Sequence, residues 1–377
     1  MKDLLTIFKE IKTLEKIGER YALATVVKVS GSTYRGLGAR MLITGTGKTI
    51  GTISGGCLEG DVLQKAQSVI AGGEPLLVEY DTTSPDDIFW GTGMGCGGVT
   101  TVLIENLSSS PKNDLLKNLY HRIQNRERFA LATITRFEGE DNNLMIGTSA
   151  VYSQLKAEID REKAAQILPS QILSGLESVY QNGKSVIKQF ETEKSTIEVL
   201  LEAIMPPQPL IIFGGGHDVY PVINLANMLG WHVTVVDYRE VFARKENFPA
   251  ADAVFLWDDS ELPPPGLSIT PHTACIIMNH HYLTDKKILK QLLPSPAFYI
   301  GFLGPQKRAK QLLEEIQSEA RAITPEQLSR LYSPVGLDIG AETAAEIALS
   351  IIAEIQAAIN QRNGGFLRQR KGPIHQR

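Results

Sequence analysis

Hydrophobic positions change period several times along the chain, and each change marks an element. Leu4, Phe8, Ile11 and Ile17 recur at helical spacing, which predicts an amphipathic helix over residues 3–18. Residues 21–29 (YALATVVKV) read as a strand, 39–44 as a second, and 49–53 as a third after a hairpin turn at 45–48. Helical spacing returns from 58 to 71, and strands are expected at 76–80 and 99–105. After a linker-like LSSSPKN at 107–113 the pattern begins again. Glu127-Arg128-Phe129-Ala130-Leu131-Ala132-Thr133-Ile134 echoes Glu19-Arg20-Tyr21-Ala22-Leu23-Ala24-Thr25-Val26, and each copy follows a helix-like segment. A helix-then-strand unit is therefore expected twice. A strand at 197–204 closes this half.

The proline run at 206–209 reads as a domain boundary. Beyond it, Leu210, Ile211, Ile212 and Phe213 form a short apolar run of the kind buried on both faces of a parallel sheet. Gly214-Gly215-Gly216 follow. A helix is expected at 219–229, with Val222, Leu225, Ala226 and Leu229 on one face, stopped by Gly230. Val233, Val235 and Val236 make a second strand with Asp237 at its end. Strand, glycine turn, helix, strand and acid make up most of a dinucleotide-binding fingerprint. Gly214 would form the turn, Gly216 would admit a phosphate, and free N–H groups would cradle it. Asp237 stands about 20 residues after Gly216, where a ribose-binding carboxylate belongs. Val219 occupies the place of the third glycine. Strands at 253–256, 273–278 and 298–303 alternate with helices at 286–293, 307–319 and 344–359.

The fold class read from this pattern is α/β. A C-terminal Rossmann-like doubly wound parallel sheet (210–362) follows an N-terminal α+β domain (1–205, halves 1–107 and 112–205) with an internal helix-strand repeat. The linker is 206–209, and 363–377 is expected to be a flexible tail. A chain of 377 residues exceeds one typical core, which agrees with two or three domains.

Charge and cysteine content narrow the function classes. A formal net charge of −4, with no basic stripe interleaved with aromatics, excludes nucleic acid as the expected partner. The basic residues Arg368, Arg370, Lys371 and Arg377 read as a solvated end. No apolar run approaches the ~18 residues of a membrane span. The first sixteen residues carry charges throughout and do not read as a signal peptide. Three cysteines are too few for a disulfide framework, and a cytoplasmic, reducing location is expected.

The candidate chemistry lies in two glycine-rich loops and at the strand ends. Cys57 sits in Ser54-Gly55-Gly56-Cys57-Leu58-Glu59, at or just before a helix N-terminus that favours a thiolate. Cys96 sits in Gly95-Cys96-Gly97-Gly98. Neither has the spacing of a zinc site. Each also reads simply as a small residue in a tight turn; as a pair they read as accessible soft thiols able to contact a metal or carry sulfur. Gly214, Gly216, His217, Asp237 and His280 fall at predicted strand ends, and His280 is the candidate there for general acid/base work.

These residues resemble the XdhC/CoxI family of molybdoenzyme-maturation proteins. The resemblance spans nearly the whole chain. It rests on Gly38-Ala39-Arg40-Met41-Leu42, Gly51-Thr52-Ile53-Ser54-Gly55-Gly56-Cys57-Leu58-Glu59-Gly60 and Cys96-Gly97-Gly98. It rests equally on Gly214-Gly215-Gly216-His217, Val236-Asp237-Tyr238-Arg239, Met278-Asn279-His280 and Pro334-Val335-Gly336-Leu337-Asp338-Ile339-Gly340. The resemblance implies a homodimeric cofactor chaperone rather than an enzyme with turnover. Such a protein binds the molybdenum cofactor, assists its sulfuration and delivers it to a xanthine dehydrogenase-type molybdoenzyme, with a cysteine desulfurase as a further partner. Cys57 and Cys96, with Gly55, Gly56, Gly97 and Gly98 around them, are then the molybdenum and pterin contacts. The stretch from Gly214 to His217 would hold a phosphate or a nucleotide. The alternative reading is an NAD(P)-dependent oxidoreductase that uses the Rossmann half, with His280 as proton carrier. The family pattern is broken at Pro305, where a serine is usual, at His281, where an acid is common, and at Val219.

Overall fold

Strand residues 21–27 are apolar or small without alternation, and the fold buries both of their faces. The computed structural model describes residues 2–82, 97–108, 112–139, 144–153, 157–192, 195–258, 260, 262–319 and 323–371. It divides into two units, Met1–Pro206 and Pro207–Arg377.

The first unit begins α1 (Lys2–Ile17), β1 (Tyr21–Gly31), β2 (Arg40–Thr44), β3 (Thr49–Gly51), α2 (Glu59–Ile70), β4 (Leu76–Asp81) and β5 (Gly98–Asn106). These strands form an antiparallel sheet in the order β3-β2-β1-β5-β4. Val62, Ala66, Val69 and Ile70 of α2 cover one face, over Ala24, Val26, Met41 and Ile104. Ile7, Phe8, Ile11 and Leu14 of α1 meet Leu23 and Leu42 on the other.

The second half repeats the plan as α3 (Lys112–Gln124), β6 (Phe129–Gly139), β7 (Ser149–Tyr152), α4 (Ala157–Ala165), α5 (Ser170–Asn182), β8 (Val186–Glu191) and β9 (Ser195–Ile204). Its sheet order is β7-β6-β9-β8. The sequence echo is a structural repeat. β1 and β6 are both 11 residues long and share one burial pattern. Both carry a bulge at the same place, Val26 to Lys28 in one and Ile134 to Arg136 in the other. Both take a hydrogen bond from a glycine just before the next strand, Gly38 N to Val26 O and Gly147 N to Ile134 O, each at 2.8 Å. Across the two sheets Arg40 donates to both carboxylate oxygens of Glu202, at 2.9 and 2.6 Å, with side-chain exposures of 8% and 3%.

The second unit contains β10 (Pro209–Phe213), α6 (Val219–Met228), β11 (His232–Asp237), β12 (Ala253–Leu256), β13 (Ala274–Ile277), α7 (Tyr282–Leu292), β14 (Tyr299–Phe302), α8 (Gln306–Glu319), α9 (Pro325–Ser329), β15 (Leu331–Tyr332) and α10 (Ala344–Ile359). The sheet is parallel throughout, in the order β12-β11-β10-β13-β14-β15. α6 and α10 pack on one face and α7 and α8 on the other. Both faces are covered, which is why β10 and β13 read as continuous apolar runs. The direction of winding reverses between β10 and β13, the topological switch point where open α/β sheets place ligands.

The structure adds elements that the hydrophobic pattern does not announce: β7, α4, α5, β8, α9 and β15. Helix α7 starts at Tyr282 rather than 286, because the His281 side chain caps it by accepting from Thr284 N. Among the described residues no helix is long and apolar enough to cross a membrane.

Candidate functional site

Antiparallel pairing fixes the strand ends that the two glycine loops adjoin. β3 leaves the first sheet at Gly51, level with Ala24 of β1, whereas β1 runs on to Gly31, where β5 enters at Gly98. The Cys57 loop follows β3, and Cys96 immediately precedes the entry of β5. Cys96 itself lies outside the described residues, as do its neighbours back to residue 83. β3 and β5 are three strand spacings apart across this sheet, about 14 Å, and Gly51 and Gly98 are further offset by the length of β1 from Ala24 to Gly31, about 20 Å. Loop 32–38 spans this offset on its way from β1 back to β2. A Cβ on Gly31 would stand 2.7 Å from Gly97 O, and one on Gly98 would collide with Ser32 O, so the backbones of these loops touch. The ring of exposed Tyr34 stands 3.4 Å from the place of a Gly55 Cβ.

The Cys57 loop is closed by one carboxylate. Glu59, the first residue of α2, accepts from Thr52 Oγ1 at 2.6 Å, Ile53 N at 3.3 Å, Ser54 N at 2.8 Å and Gly56 N at 3.1 Å, and also from Ser54 Oγ. Ser54 Oγ in turn accepts from Gly56 N at 3.2 Å and Leu58 N at 3.1 Å. Burial pushes the Glu59 carboxyl up, but the hydrogen bonds from Ser54 and Thr52 outweigh it and hold it at about 2. Gly56 has φ +114°, open to glycine, so the chain turns sharply into Cys57. The Cys57 thiol is exposed. The N–H groups of Gly55 and Cys57 have no hydrogen-bond partner among the described residues.

A second candidate lies at the switch point. Gly214, at φ +125°, has no room for a Cβ, which would stand 2.5 Å from Met278 O and 3.0 Å from Asn279 N. The backbone N–H groups of Gly216, His217 and Asp218, at the start of α6, have no partner among the described residues. Asp237 is buried and both of its oxygens are taken. Gly215 N donates to Oδ2 at 2.6 Å, while Arg239 donates to Oδ1 from its backbone N at 2.7 Å and from Nε at 2.9 Å, and to Oδ2 at 2.7 Å. That pairing raises the Arg239 pKa. A ribose hydroxyl would have to displace these donors.

His280 adopts a left-handed backbone, φ +60°, which a residue with a Cβ adopts only under constraint. Its Nε2 lies 2.8 Å from Asp218 Oδ2, and its side chain is 58% exposed. His217 stacks loosely on Tyr220, with 5.8 Å between ring centroids. Behind His280, Asp285 pairs with Arg308. Burial pushes the Asp285 carboxyl up to about 6 against the pull of Arg308. Asn279 lies close enough to lower it slightly but outside hydrogen-bond geometry. Among the described residues Asn279 Nδ2, Asp285 Oδ1 and Arg308 Nε are buried without a partner.

The structure thus sets Gly55 beside Tyr34, and Gly97 and Gly98 beside Gly31 and Ser32, along the one segment 31–38, and brings Gly214, Gly216, His217 and His280 to one switch point. Glu59 enters the sequence reading only as part of a motif. Its signal is an acid in the first helical turn behind a Ser-Gly-Gly loop. Arg308 gives no local signal, because its partner Asp285 is on a different helix. The third cysteine, Cys275, is buried in β13, and burial pushes its thiol far up. Among the described residues no three His, Cys, Asp or Glu side chains converge to hold a metal ion.

Comparison with known proteins agrees with this architecture. Residues 14–81 match the XdhC and CoxI family, and residues 210–355 match the XdhC Rossmann domain. A Bacillus subtilis (strain 168) protein, named as a probable xanthine dehydrogenase subunit, is 32% identical over 345 residues, covering 89% of this chain and 92% of its own length. The molybdenum cofactor insertion chaperone PaoD of Escherichia coli (strain K12) is 22% identical over 338 residues, covering 90% of this chain and 83% of its own. The crystal structure of a xanthine dehydrogenase from Bacillus halodurans superposes with a TM-score of 0.72 at 30% identity, over 95% of this chain and 96% of that one. The chain belongs to the XdhC and CoxI family, with an XdhC Rossmann domain as its second unit.

Proposed function

We propose that this protein is an accessory factor of molybdoenzyme maturation. It binds the molybdenum cofactor as cargo, assists its sulfuration, and delivers it to a xanthine dehydrogenase-type enzyme. A cysteine desulfurase and a second copy of the chain are its further partners. The observation that carries this reading is the solvent-facing Cys57 thiol, held in a clipped glycine loop whose Gly55 lies beside Tyr34, on the same segment 31–38 that touches Gly97 and Gly98. The donor set fits the cargo. Thiols are soft ligands suited to molybdenum, which arrives with its own dithiolene sulfurs and needs few protein ligands. The unpartnered Gly55 and Cys57 N–H groups can donate to its oxygen or sulfur atoms. The relative named as a cofactor insertion chaperone, matched over most of both chains, supports the same role.

On this reading the switch point takes the phosphate or nucleotide end of a ligand on the free N–H groups of Gly216, His217 and Asp218. His280, oriented by Asp218, is the group there able to move a proton. The competing NAD(P)-dependent oxidoreductase reading is weaker, because the expected ribose-binding carboxylate of Asp237 is already occupied.

The test is cofactor retention. The protein is purified from cells that make the cofactor, and molybdenum and oxidised-pterin fluorescence are measured per chain beside a Cys57→Ala/Cys96→Ala double variant. Pterin near one per chain, lost in the folded variant, is expected. Equal pterin in both would overturn the thiol role.

A further inference from the structure

We propose that Glu59 is the positioning residue of the Cys57 loop: its carboxylate folds residues 52–58 into the one arrangement that presents the thiol beside the free Gly55 and Cys57 N–H groups. The inference rests on the Cys57 reading above and adds a residue to it.

The hydrogen bonds divide the work between the two oxygens. Oε1 accepts from Thr52 Oγ1, Ile53 N and Ser54 N, holding the incoming chain. Oε2 accepts from Ser54 Oγ and from Gly56 N, the residue before Cys57. The backbone N–H groups of residues 53, 54, 56 and 58 are thus tied down, by Glu59 or by the Ser54 hydroxyl that Glu59 holds. Those of 55 and 57 are left over. No cation neutralises Glu59 among the described residues; every hydrogen bond it accepts comes from the loop or its own backbone.

The second repeat shows the same device without a cysteine. Asp160 of α4 accepts from Ser153 N at 2.9 Å and from Ser153 Oγ at 3.0 Å, just past the end of β7. There Arg122 donates to Asp160 at 2.6 Å, and the cluster is buried. A helix carboxylate on a serine N–H and hydroxyl is therefore how this fold shapes the strand-to-helix loop in both copies. Only in the first copy does the loop carry a solvent-facing thiol.

Glu59→Gln separates positioning from folding. The amide keeps one acceptor oxygen for Thr52 and Ser54 but turns an NH2 toward Gly56 N–H, so it frees the residue before Cys57. Ser54→Ala removes the other acceptor of Gly56 and Leu58 and serves as an independent variant. Hydrogen–deuterium exchange of peptides spanning 52–59 should quicken about tenfold in each, the factor expected for one lost hydrogen bond to a charged group. Urea-dependent exchange of β1 and β6 peptides, which reads the stability of the first unit, should stay near wild type. Copurified pterin per chain should fall by a similar factor. Unchanged exchange would overturn the clip. Faster exchange with full pterin, in a protein that loses pterin on Cys57→Ala, would overturn positioning and leave the Cys57 reading intact. Full pterin in Cys57→Ala would instead bring down both.

Discussion

Removal of Glu202 should be among the most destabilising single changes in the first unit. Arg40 and Glu202 join β2 of one repeat to β9 of the other, and their side chains are 8% and 3% exposed. Two parallel hydrogen bonds at 2.9 and 2.6 Å make the pair bidentate, and the guanidinium also donates to Gly38 O at 2.9 Å. At this separation the attraction is about 4 kcal/mol at an effective dielectric of about 20, roughly balanced by the desolvation of both groups. The pair therefore adds little net stability, yet breaking it leaves a buried cation. Glu202→Leu should cost about 3–5 kcal/mol, and Arg40→Met/Glu202→Leu should recover most of that loss. Because the chain has two units, a global melt is ambiguous. Urea-dependent hydrogen exchange of β1 and β6 peptides reads the first unit alone. Salt up to about 1 M should change the wild-type value little, because a buried pair is poorly screened. A Glu202→Leu cost below about 1 kcal/mol, or a double variant as unstable as the single, would refute the reasoning.

Two further predictions concern the switch point. Burial holds Asp285 at about 6, above its unfolded value of 3.8, so the folded state binds the proton more tightly, and stability of the second unit should fall as pH rises through the window from about 4 to 6. The loss is of order 3 kcal/mol, and Asp285→Asn should flatten it when exchange of β13 and β14 peptides is followed against pH. His280→Gly should raise the stability of the second unit by about 1 kcal/mol, since glycine adopts φ +60° freely, despite the loss of the contact to Asp218. A loss of stability on that substitution would mean that the His280 side chain, rather than its backbone, dominates.

Elements with a strong period were legible in the sequence, and those without one were not. α10 and the parallel strands announce themselves because their apolar positions meet a core directly: Ala348, Ile351, Ile352 and Ile355 face α6 and the sheet. β8 pairs with β9 at a sheet edge, and of its six residues VIKQFE half are half-buried and half exposed, so the hydrophobic signal is weak. β15 is two residues long, too short for any period. The cysteine loops were visible as glycine clusters. Their shaping was not, because Glu59 acts through hydrogen bonds to Thr52, Ile53, Ser54 and Gly56, a pattern that no hydrophobic period or glycine count encodes. The echo at residues 19–26 and 127–134 was short, yet it reported a repeat that extends to the bulge, the hairpin glycine and the helix carboxylate.

The fate of Asp237 shows what a fingerprint does and does not encode. Strand, glycines, helix and acid occur at the expected spacing, and the fold they specify is present. The acid, however, faces inward, where Gly215 N and the Arg239 fork already satisfy it. Arg239 also lies over the Phe242 ring, its guanidinium carbon 3.9 Å from the centroid, which helps hold the fork in place. Spacing locates a residue at a strand end, but its charge is available to a ligand only if no neighbour has claimed it. The same criterion favours the groups left unclaimed. Among the described residues the three N–H groups at the start of α6 remain open at the switch point, beside the His280 that Asp218 orients. In the loop after β3 the Cys57 thiol and, among the described residues, the N–H groups of Gly55 and Cys57 are likewise open. Those are the places where a substitution should change binding before it changes folding.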